Sequence, residues 1–125
     1  MTRFLGYTMF TLVLLLALPA HQGQAQVNPF KNSAIEKLTD EDIEIIKKSA
    51  APLYQVDDPE IGDSASWSNP NSGNFGTIEL VDVYDWHKMP CRKLQHLMKV
   101  VDWKDNVRMT VDRCKVPSGE WKIRY

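Results

Sequence analysis

The C-terminal half of the chain alternates strand-like runs with short turns, and this pattern constrains the fold more than any other feature. The runs are rich in Val, Ile, Thr, Trp and Tyr and span residues 76–86, 91–102, 106–116 and 120–124. Turn-forming residues separate them at Lys88-Met89-Pro90, Asp105-Asn106 and Pro117-Ser118-Gly119. Consecutive strands with short connections pair antiparallel. We therefore predict an antiparallel meander within a sheet region of about 65–124.

Apolar and polar residues alternate along the last two runs. The run VRMTVDRCKV places Val107, Met109 and Val111 on one face and polar residues on the other. The run EWKIRY repeats the pattern with Trp121 and Ile123. Such alternation is typical of antiparallel strands with one buried face and one solvated face. A further element must therefore cover the buried face.

A helix before the sheet is the element that fits this role. Thr39 can act as its N-cap, and Asp42 lies three residues later, as in a capping box. Apolar residues recur at spacings of three and four after Ile43, and Pro52 marks the end, so we predict a helix over 40–51. A helix on a small four- to five-stranded antiparallel meander defines the α+β class.

The first 25 residues have the pattern of a secretory signal peptide. Arg3 precedes a short apolar run, MFTLVLLLAL, and small residues follow before position 26. The run is shorter than the roughly 20 residues of a membrane span, but a retained N-terminal anchor stays the alternative. We predict removal of 1–25, a flexible lead-in at 26–38 and one domain at 39–125. Three apolar side chains of the lead-in are suited to docking: Phe30, Ile35 and Leu38.

Charge excludes several classes of partner. Because Arg3 is the only charged residue of the signal, the mature chain keeps 14 of the 15 Lys+Arg and all 16 Asp+Glu, a net charge of −2. This balance does not favour nucleic acid or an anionic membrane as a partner. No cysteine lies near the predicted cleavage point, so no lipid anchor is expected.

Two cysteines, Cys91 and Cys114, are the only ones in the chain. Export exposes thiols to an oxidising compartment, which favours a disulfide that closes a loop of about 24 residues and contributes roughly 3 kcal/mol. A hairpin between their strands would place Cys91 opposite about position 115. A metal site with His87 and His96 is the alternative, but the chain lacks a C-x-x-C pair. We predict one disulfide, no metal and no cofactor.

No catalytic motif appears in the sequence. His87 lies at a predicted turn and His96 within a strand, where we expect an exposed position. The loop serines lack a G-x-S-x-G context, and no phosphate-binding or dinucleotide-binding glycine pattern is present. We therefore do not expect an enzyme. The linker 55–66 carries four carboxylates, best interpreted as a solvated loop rather than a cation site: Asp57, Asp58, Glu60 and Asp63.

Four tryptophans are many for a domain of this size. Each is large and amphipathic, so tryptophans serve both in cores and at interaction surfaces. We assign Trp67 and Trp121 to the core. We assign Trp86 and Trp103 to a candidate interaction face.

Three separated elements carry a family resemblance: the turn WSNPNSGNFGTI, the strand CRKL and the closing CKVPSGEWKI. Together they resemble the C-terminal domain of the 17-kDa surface antigen family of bacteria, best known from rickettsiae. The matching positions are Trp67, Asn69, Ser72, Gly73, Gly76, Cys91, Arg92, Cys114, Gly119, Trp121 and Lys122. The family's lipidated cysteine and glycine-rich membrane segment are missing here. The resemblance implies a protein of the Gram-negative cell envelope, periplasmic or associated with the outer membrane, with no known catalytic activity.

Three functions follow as expectations. The first is a non-enzymatic structural or protein-interaction role with an unknown envelope protein or glycan. The second is a module that binds a small ligand or glycan through Trp86, Trp103 and the acidic linker. The third is an inhibitor of a secreted hydrolase that presents the loop 69–76. The turn from Trp67 to Gly76 is itself expected to be a rigid turn that sets the first long strand.

Overall fold

The computed structural model describes residues 33–124, which form one helix packed on a five-stranded antiparallel sheet. After a 3₁₀ turn at Ala34–Lys37, helix α1 spans Asp40–Tyr54. The strands are β1 (Ser64–Ser68), β2 (Phe75–Trp86), β3 (Met89–Lys99), β4 (Val107–Lys115) and β5 (Trp121–Arg124). They follow one another in the sheet in sequence order, so the predicted α+β meander is confirmed. The predictions of a signal peptide and of docking by Phe30 lie outside the described residues.

Helix α1 begins as predicted and ends three residues later than predicted. Thr39 and Asp42 form a complete capping box. Pro52 lies inside the helix instead of ending it, although proline cannot donate the backbone hydrogen bond of an interior position. The last turn persists because Leu53 and Tyr54 are buried in the core, at 5% and 6% exposure. Within the described part of the chain, no helix has the length and apolar character needed to cross a membrane.

The strand boundaries differ from the predicted ones at two hairpins. β1 begins inside the predicted linker, and β3 begins at Met89, inside the predicted turn. The β2–β3 turn is instead the two-residue pair His87-Lys88, with φ values of 47° and 62°. Two consecutive positive φ values match the twist of a tight hairpin, which lets the strands pair up to the turn. At the other end, β3 stops at Lys99 rather than at position 102.

The core lies between α1 and one face of the sheet, which we call the inner face. α1 contacts β1 and β2 most closely. The core side chains are Ala34, Ala50, Leu53, Tyr54, Trp67, Ile78, Leu80, Leu94, Met98 and Val100. Trp67 is buried, as predicted, whereas Trp121 packs against the core and stays partly exposed. Full burial of one large aliphatic side chain stabilises the fold by about 1.5–3 kcal/mol.

A bulge in β2 reverses which face of the sheet the odd- and even-numbered side chains of its second half occupy. Leu80 pairs with Leu94 and Asp82 with Lys93, so Val81 is an extra residue. Ile78 and Leu80 belong to the inner face, but beyond the bulge the even-numbered residues turn to the opposite, outer face. Tyr84 therefore lies beside Cys91 on the outer face.

The prediction that His96 is exposed is wrong. His96 pairs with Ile78 on one side and Met109 on the other, and its exposure is only 4%. It occupies the inner face between Leu94 and Met98, in a register otherwise filled by apolar side chains. Position in the alternation, rather than the polarity of imidazole, decides its burial.

Candidate functional site

The capping box at the start of α1 is the centre of a larger polar cluster. The Asp42 backbone N–H donates to Thr39 Oγ1 at 3.0 Å, and the Thr39 N–H donates to Asp42 Oδ2 at 2.8 Å. These bonds satisfy two backbone donors near the helix N-terminus. The Asp42 carboxylate has no exposed surface. Its remaining lone pairs therefore need hydrogen-bond donors from within the protein.

The turn between β1 and β2 supplies those partners. Asn69 Nδ2 and Ser72 Oγ donate to Asp42 Oδ1 at 2.8 and 2.6 Å. Asn74 Nδ2 donates to Asp42 Oδ2 at 2.8 Å. Burial raises the pKa of Asp42, but the hydrogen bonds from Ser72, Thr39, Asn74 and Asn69 outweigh it and lower the pKa from 3.8 to about 2. We call Asp42, Asn69, Ser72 and Asn74 the Asp42 cluster.

Both buried asparagines of the cluster also fix the backbone around them. Asn69 Oδ1 accepts from the Asn71 N–H at 3.0 Å, and Asn74 Oδ1 accepts from the Val101 N–H at 2.8 Å. The Asn69 N–H donates to the Asn74 carbonyl at 2.8 Å and closes the turn. One helix, one turn and the segment after β3 are therefore joined through two side chains.

The two glycines of the turn have separate steric roles. Gly73 has φ of 80°, a left-handed conformation that favours glycine, and its N–H donates to the Asn69 carbonyl at 2.8 Å. Gly76 has no such φ, but a Cβ there would lie 2.5 Å from the Leu97 carbonyl oxygen and 2.9 Å from Trp67 Nε1. Gly76 is thus required by the close approach of β2 to β3 beneath the Trp67 ring.

All five predicted signature residues, Trp67, Asn69, Ser72, Gly73 and Gly76, therefore have an architectural explanation. The carboxylate of Asp42 is surrounded by donors and lacks the free access that a catalytic acid or a ligand-binding group needs. Asn69 and Asn74 are 1% and 3% exposed, so these two side chains face inward, whereas Pro70, Asn71 and Gly73 at the tip of the turn are exposed.

Sequence reasoning identifies Thr39, Asn69 and Ser72 but misses the centre of the cluster. The sequence marks Asp42 only as part of a helix cap, and it does not single out Asn74. Their mutual contact spans 32 residues of sequence. The only signal in the sequence is the concentration of asparagine and serine in one turn, which also fits a solvated loop.

The predicted disulfide is present on the outer face. Cys91 and Cys114 are joined, with an S–S distance of 2.01 Å, and pair directly across β3 and β4. The observed register differs by one residue from the expected partner position of about 115. Tyr84 lies opposite Cys91 on the next strand, and its hydroxyl accepts from Arg124 Nη1 at 3.1 Å.

The two tryptophans predicted to form an interaction face lie at opposite ends of β3. Trp86 is 38% exposed beside the β2–β3 turn, with the Arg124 guanidinium carbon 4.4 Å from its ring centroid. Trp103 lies beyond the other end of β3, is partly buried and packs against the core. The structure does not bring them together, which weakens the hypothesis of a glycan site built from both.

Neither histidine meets a catalytic partner in the described chain. His87 is exposed in a turn, its ring centroid 4.2 Å from that of Trp86, and His96 is buried on the inner face. Over residues 33–124, no group of three His, Cys, Asp or Glu side chains is arranged to hold a metal ion. The predicted acidic linker is solvated, and Asp63 Oδ2 accepts from the Glu60 N–H at 3.2 Å within its turn.

An open groove of about 470 Å³ lies on the outer face where β1, β2 and β3 run side by side. Phe75 and Leu97 stand in this groove at 53% and 39% exposure. Its other outward side chains are polar or cationic: Ser66, Ser68, Thr77 and Lys99. We call this the outer-face groove; sequence reasoning does not single out Phe75 or Leu97, its two exposed apolar side chains.

These features define the chain as a small, disulfide-linked α+β domain whose polar cluster is architectural. No family model, no curated protein and no solved structure matches it. The resemblance to the 17-kDa surface antigen family therefore rests on the sequence motifs alone and stays a prediction.

Proposed function

We propose that this chain is a non-catalytic, exported interaction module of the bacterial cell envelope. The sequence supports export through its N-terminal pattern, and its motifs resemble those of an envelope antigen family. The geometry supports a binding role over catalysis. The polar side chains of the β1–β2 turn already donate hydrogen bonds to Asp42, and these bonds hold the turn to α1.

The observation that carries the proposal is the exposure of Phe75 and Leu97 in one groove of a rigid sheet. These two large apolar side chains are 53% and 39% exposed. Exposing apolar surface to water is unfavourable in free energy, so its burial by a partner would favour binding. The sheet holds both in place, since β1, β2 and β3 are fully paired across this region. A preformed surface loses little conformational freedom on binding.

Charge around the groove indicates the chemistry of the partner. Lys99 lines the groove, and Arg108 lies opposite Leu97 on β4. No carboxylate lines the groove within the described residues. We therefore propose that the partner is another envelope protein that inserts apolar side chains flanked by carboxylates.

Photocrosslinking tests this proposal in the producing cell. A photoreactive amino acid at Thr77, inside the groove, should give a discrete adduct with one partner protein. The variants Phe75→Ser and Leu97→Ser should each reduce that adduct by at least fivefold. Ile61→Ser is the matched control, because Ile61 is 63% exposed but lies in the linker, so the adduct should persist.

Two results would contradict the proposal. Either no adduct forms at Thr77, or the adduct is insensitive to both groove variants. Urea denaturation of each variant separates loss of binding from loss of folding, since exposed Phe75 and Leu97 should contribute little to stability.

A further inference from the structure

A second cavity lies on the inner face, away from the outer-face groove. α1 packs on β1 and β2, and a cavity of about 170 Å³ remains between α1 and strands β3 to β5. Its walls are largely aliphatic. They include Ile35 and Leu38 before the helix, Ile46 of α1, Met109 and Val111 of β4, and Ile123 of β5.

Polar atoms without partners lie at this cavity. His96 and Arg113 both line it. His96 Nε2 and Arg113 Nε are buried and have no hydrogen-bond partner within residues 33–124. His96 is 4% exposed, so bulk solvent does not reach that nitrogen. Buried polar groups in native proteins nearly always have a partner. Of the six buried side-chain atoms without one in residues 33–124, these two lie on residues that line one cavity, which points to a ligand there.

Two arginines lie together here: Arg113 lines the cavity, and Arg92 is its neighbour across the strands. Arg92 and Arg113 pair directly across β3 and β4, a like-charge arrangement that is unfavourable by itself. Their guanidinium carbons lie 5.4 and 4.8 Å from the ring centroids of Trp121 and Tyr54. No carboxylate of the described residues forms an ion pair with either arginine. An anion bound beside Arg113 would offset the repulsion.

We propose that the inner-face cavity binds a small monocarboxylate with a linear apolar tail, such as a medium-chain fatty acid. The carboxylate accepts hydrogen bonds from Arg113 and His96, and the tail lies along Met109 and Val111. A planar carboxylate matches the donor geometry of a guanidinium. The proposal concerns the opposite face from the outer-face groove and does not depend on the proposed function.

The size of the cavity limits the ligand. Sites for drug-sized molecules enclose roughly 300–1,000 Å³. The volume here admits about six groups of the size of a water molecule, at roughly 30 Å³ each. Six such groups correspond to the carboxylate and about three methylenes. The rest of a longer tail then lies outside the cavity, past Ile123, which lines it and is 41% exposed.

The protonation state of His96 is compatible with this ligand. Burial and the nearby charge of Arg113 lower the pKa of His96 from 6.5 to about 4, so the free ring is neutral at pH 7. A neutral ring can donate one N–H, and the charge of the ligand is then matched by Arg113 and by Lys47, which also lines the cavity.

Octanoate is the test ligand, with three matched probes that separate charge from tail. Octanol keeps the tail without the charge, acetate keeps the charge without the tail, and octylammonium reverses the charge. Titrations into the isotope-labelled protein by NMR at pH 7 should show octanoate shifting His96, Met109 and Val111 resonances. Each of the three probes should bind at least tenfold more weakly.

A pair of variants on β4 completes the experiment. Arg113→Gln should weaken octanoate at least tenfold and leave octanol unchanged. Arg108→Gln, on the outer face of the same strand, should change neither affinity. Equal binding of octanol and octanoate, shifts confined to the outer face, contacts from residues 26–32 that fill the cavity, or no binding would each overturn the proposal. The comparison of ligands on the unmodified protein stays decisive if Arg113→Gln fails to fold.

Discussion

Asp42 in the first turn of α1 accepts a 2.8 Å hydrogen bond from the side-chain amide of Asn74, 32 residues later in the chain. Asn74 uses its carbonyl oxygen at the same time to accept the Val101 N–H. Through this one pair, the helix N-terminus, the β1–β2 turn and the segment after β3 are held in one fixed arrangement. The contact explains why Asn74, a polar residue of this turn, is buried.

Asp42→Asn should be the most damaging conservative change in the helix. An asparagine keeps the volume of the side chain but loses its charge. Its amide N–H₂ replaces one carboxylate oxygen and would face a donor, the side-chain amide of Asn69 or of Asn74. We expect a loss of about 3 kcal/mol in the free energy of unfolding, measured by urea denaturation. Asp40→Asn is the control, since Asp40 is exposed in the same turn and should cost less than about 1 kcal/mol. Equal losses would show that the cluster adds nothing beyond the helix dipole.

Gly76→Ala should destabilise the sheet by steric conflict. Its Cβ would lie 2.5 Å from the Leu97 carbonyl oxygen, so β2 and β3 would have to separate. We expect a loss of about 3 kcal/mol in thermal or urea unfolding.

Gly119→Ala is the matched comparison. Gly119 has φ of 91°, and no atom lies within 4 Å of the place that an alanine methyl would take. Only backbone strain of about 1–2 kcal/mol therefore applies there. If Gly76→Ala costs less than Gly119→Ala, the close approach of the strands is not what requires glycine at position 76.

Local patterns predict the parts of this fold that local physics decides. The cap at Thr39 and the alternation from Val107 to Val111 follow from nearby residues. The pairing of Cys91 with Cys114 follows from the presence of two cysteines and from the predicted export. The Asp42 cluster could not be predicted in this way, because its hydrogen bonds join residues 27 to 32 positions apart. Asp42 already has a complete local explanation as a cap, and nothing in the sequence indicates its second role.

His96 illustrates the same limit in the sheet. Its neighbours in sequence do not show which face of β3 is covered, since that depends on where α1 lies. Alternation with Leu94 and Met98 contains the signal, but the polarity of histidine argues against it. Pro52 is a related case, because burial of Leu53 and Tyr54 overrides a local helix-ending signal.

Loss of the disulfide should weaken the domain without changing its topology. The Cys91→Ala/Cys114→Ala double variant should lose about 3 kcal/mol of unfolding free energy, since the bridge joins residues 23 positions apart. Urea denaturation with and without a reductant measures the effect. Under reducing conditions, the unfolding free energy of the unmodified protein should approach that of the double variant. The unfolding free energy of the double variant should not change when reductant is added. Two free thiols in the exported protein, found by mass spectrometry, would contradict the pairing in the cell.

Acidification should destabilise the protein between about pH 6.5 and pH 4 through His96. Its folded-state pKa is lowered to about 4 by burial and by Arg113, so between these pH values the unfolded chain binds a proton that the folded chain does not. Stability is therefore complete above pH 6.5 and is lost as pH falls through this window, with a slope of up to about 1.4 kcal/mol per pH unit. Asp42 acts in a lower window, because its pKa is lowered from 3.8 to about 2.

Urea denaturation at pH 4, 5, 6 and 7 separates His96 from the other titrating groups. His96→Leu removes the proton-binding site and keeps an apolar side chain on the inner face, so the fall in stability over this range should become shallower. His87→Gln is the control, since His87 is exposed in the β2–β3 turn and its loss should leave the slope unchanged. A His96→Leu slope equal to that of the unmodified protein would show that the buried imidazole is not the group that destabilises the fold in mild acid.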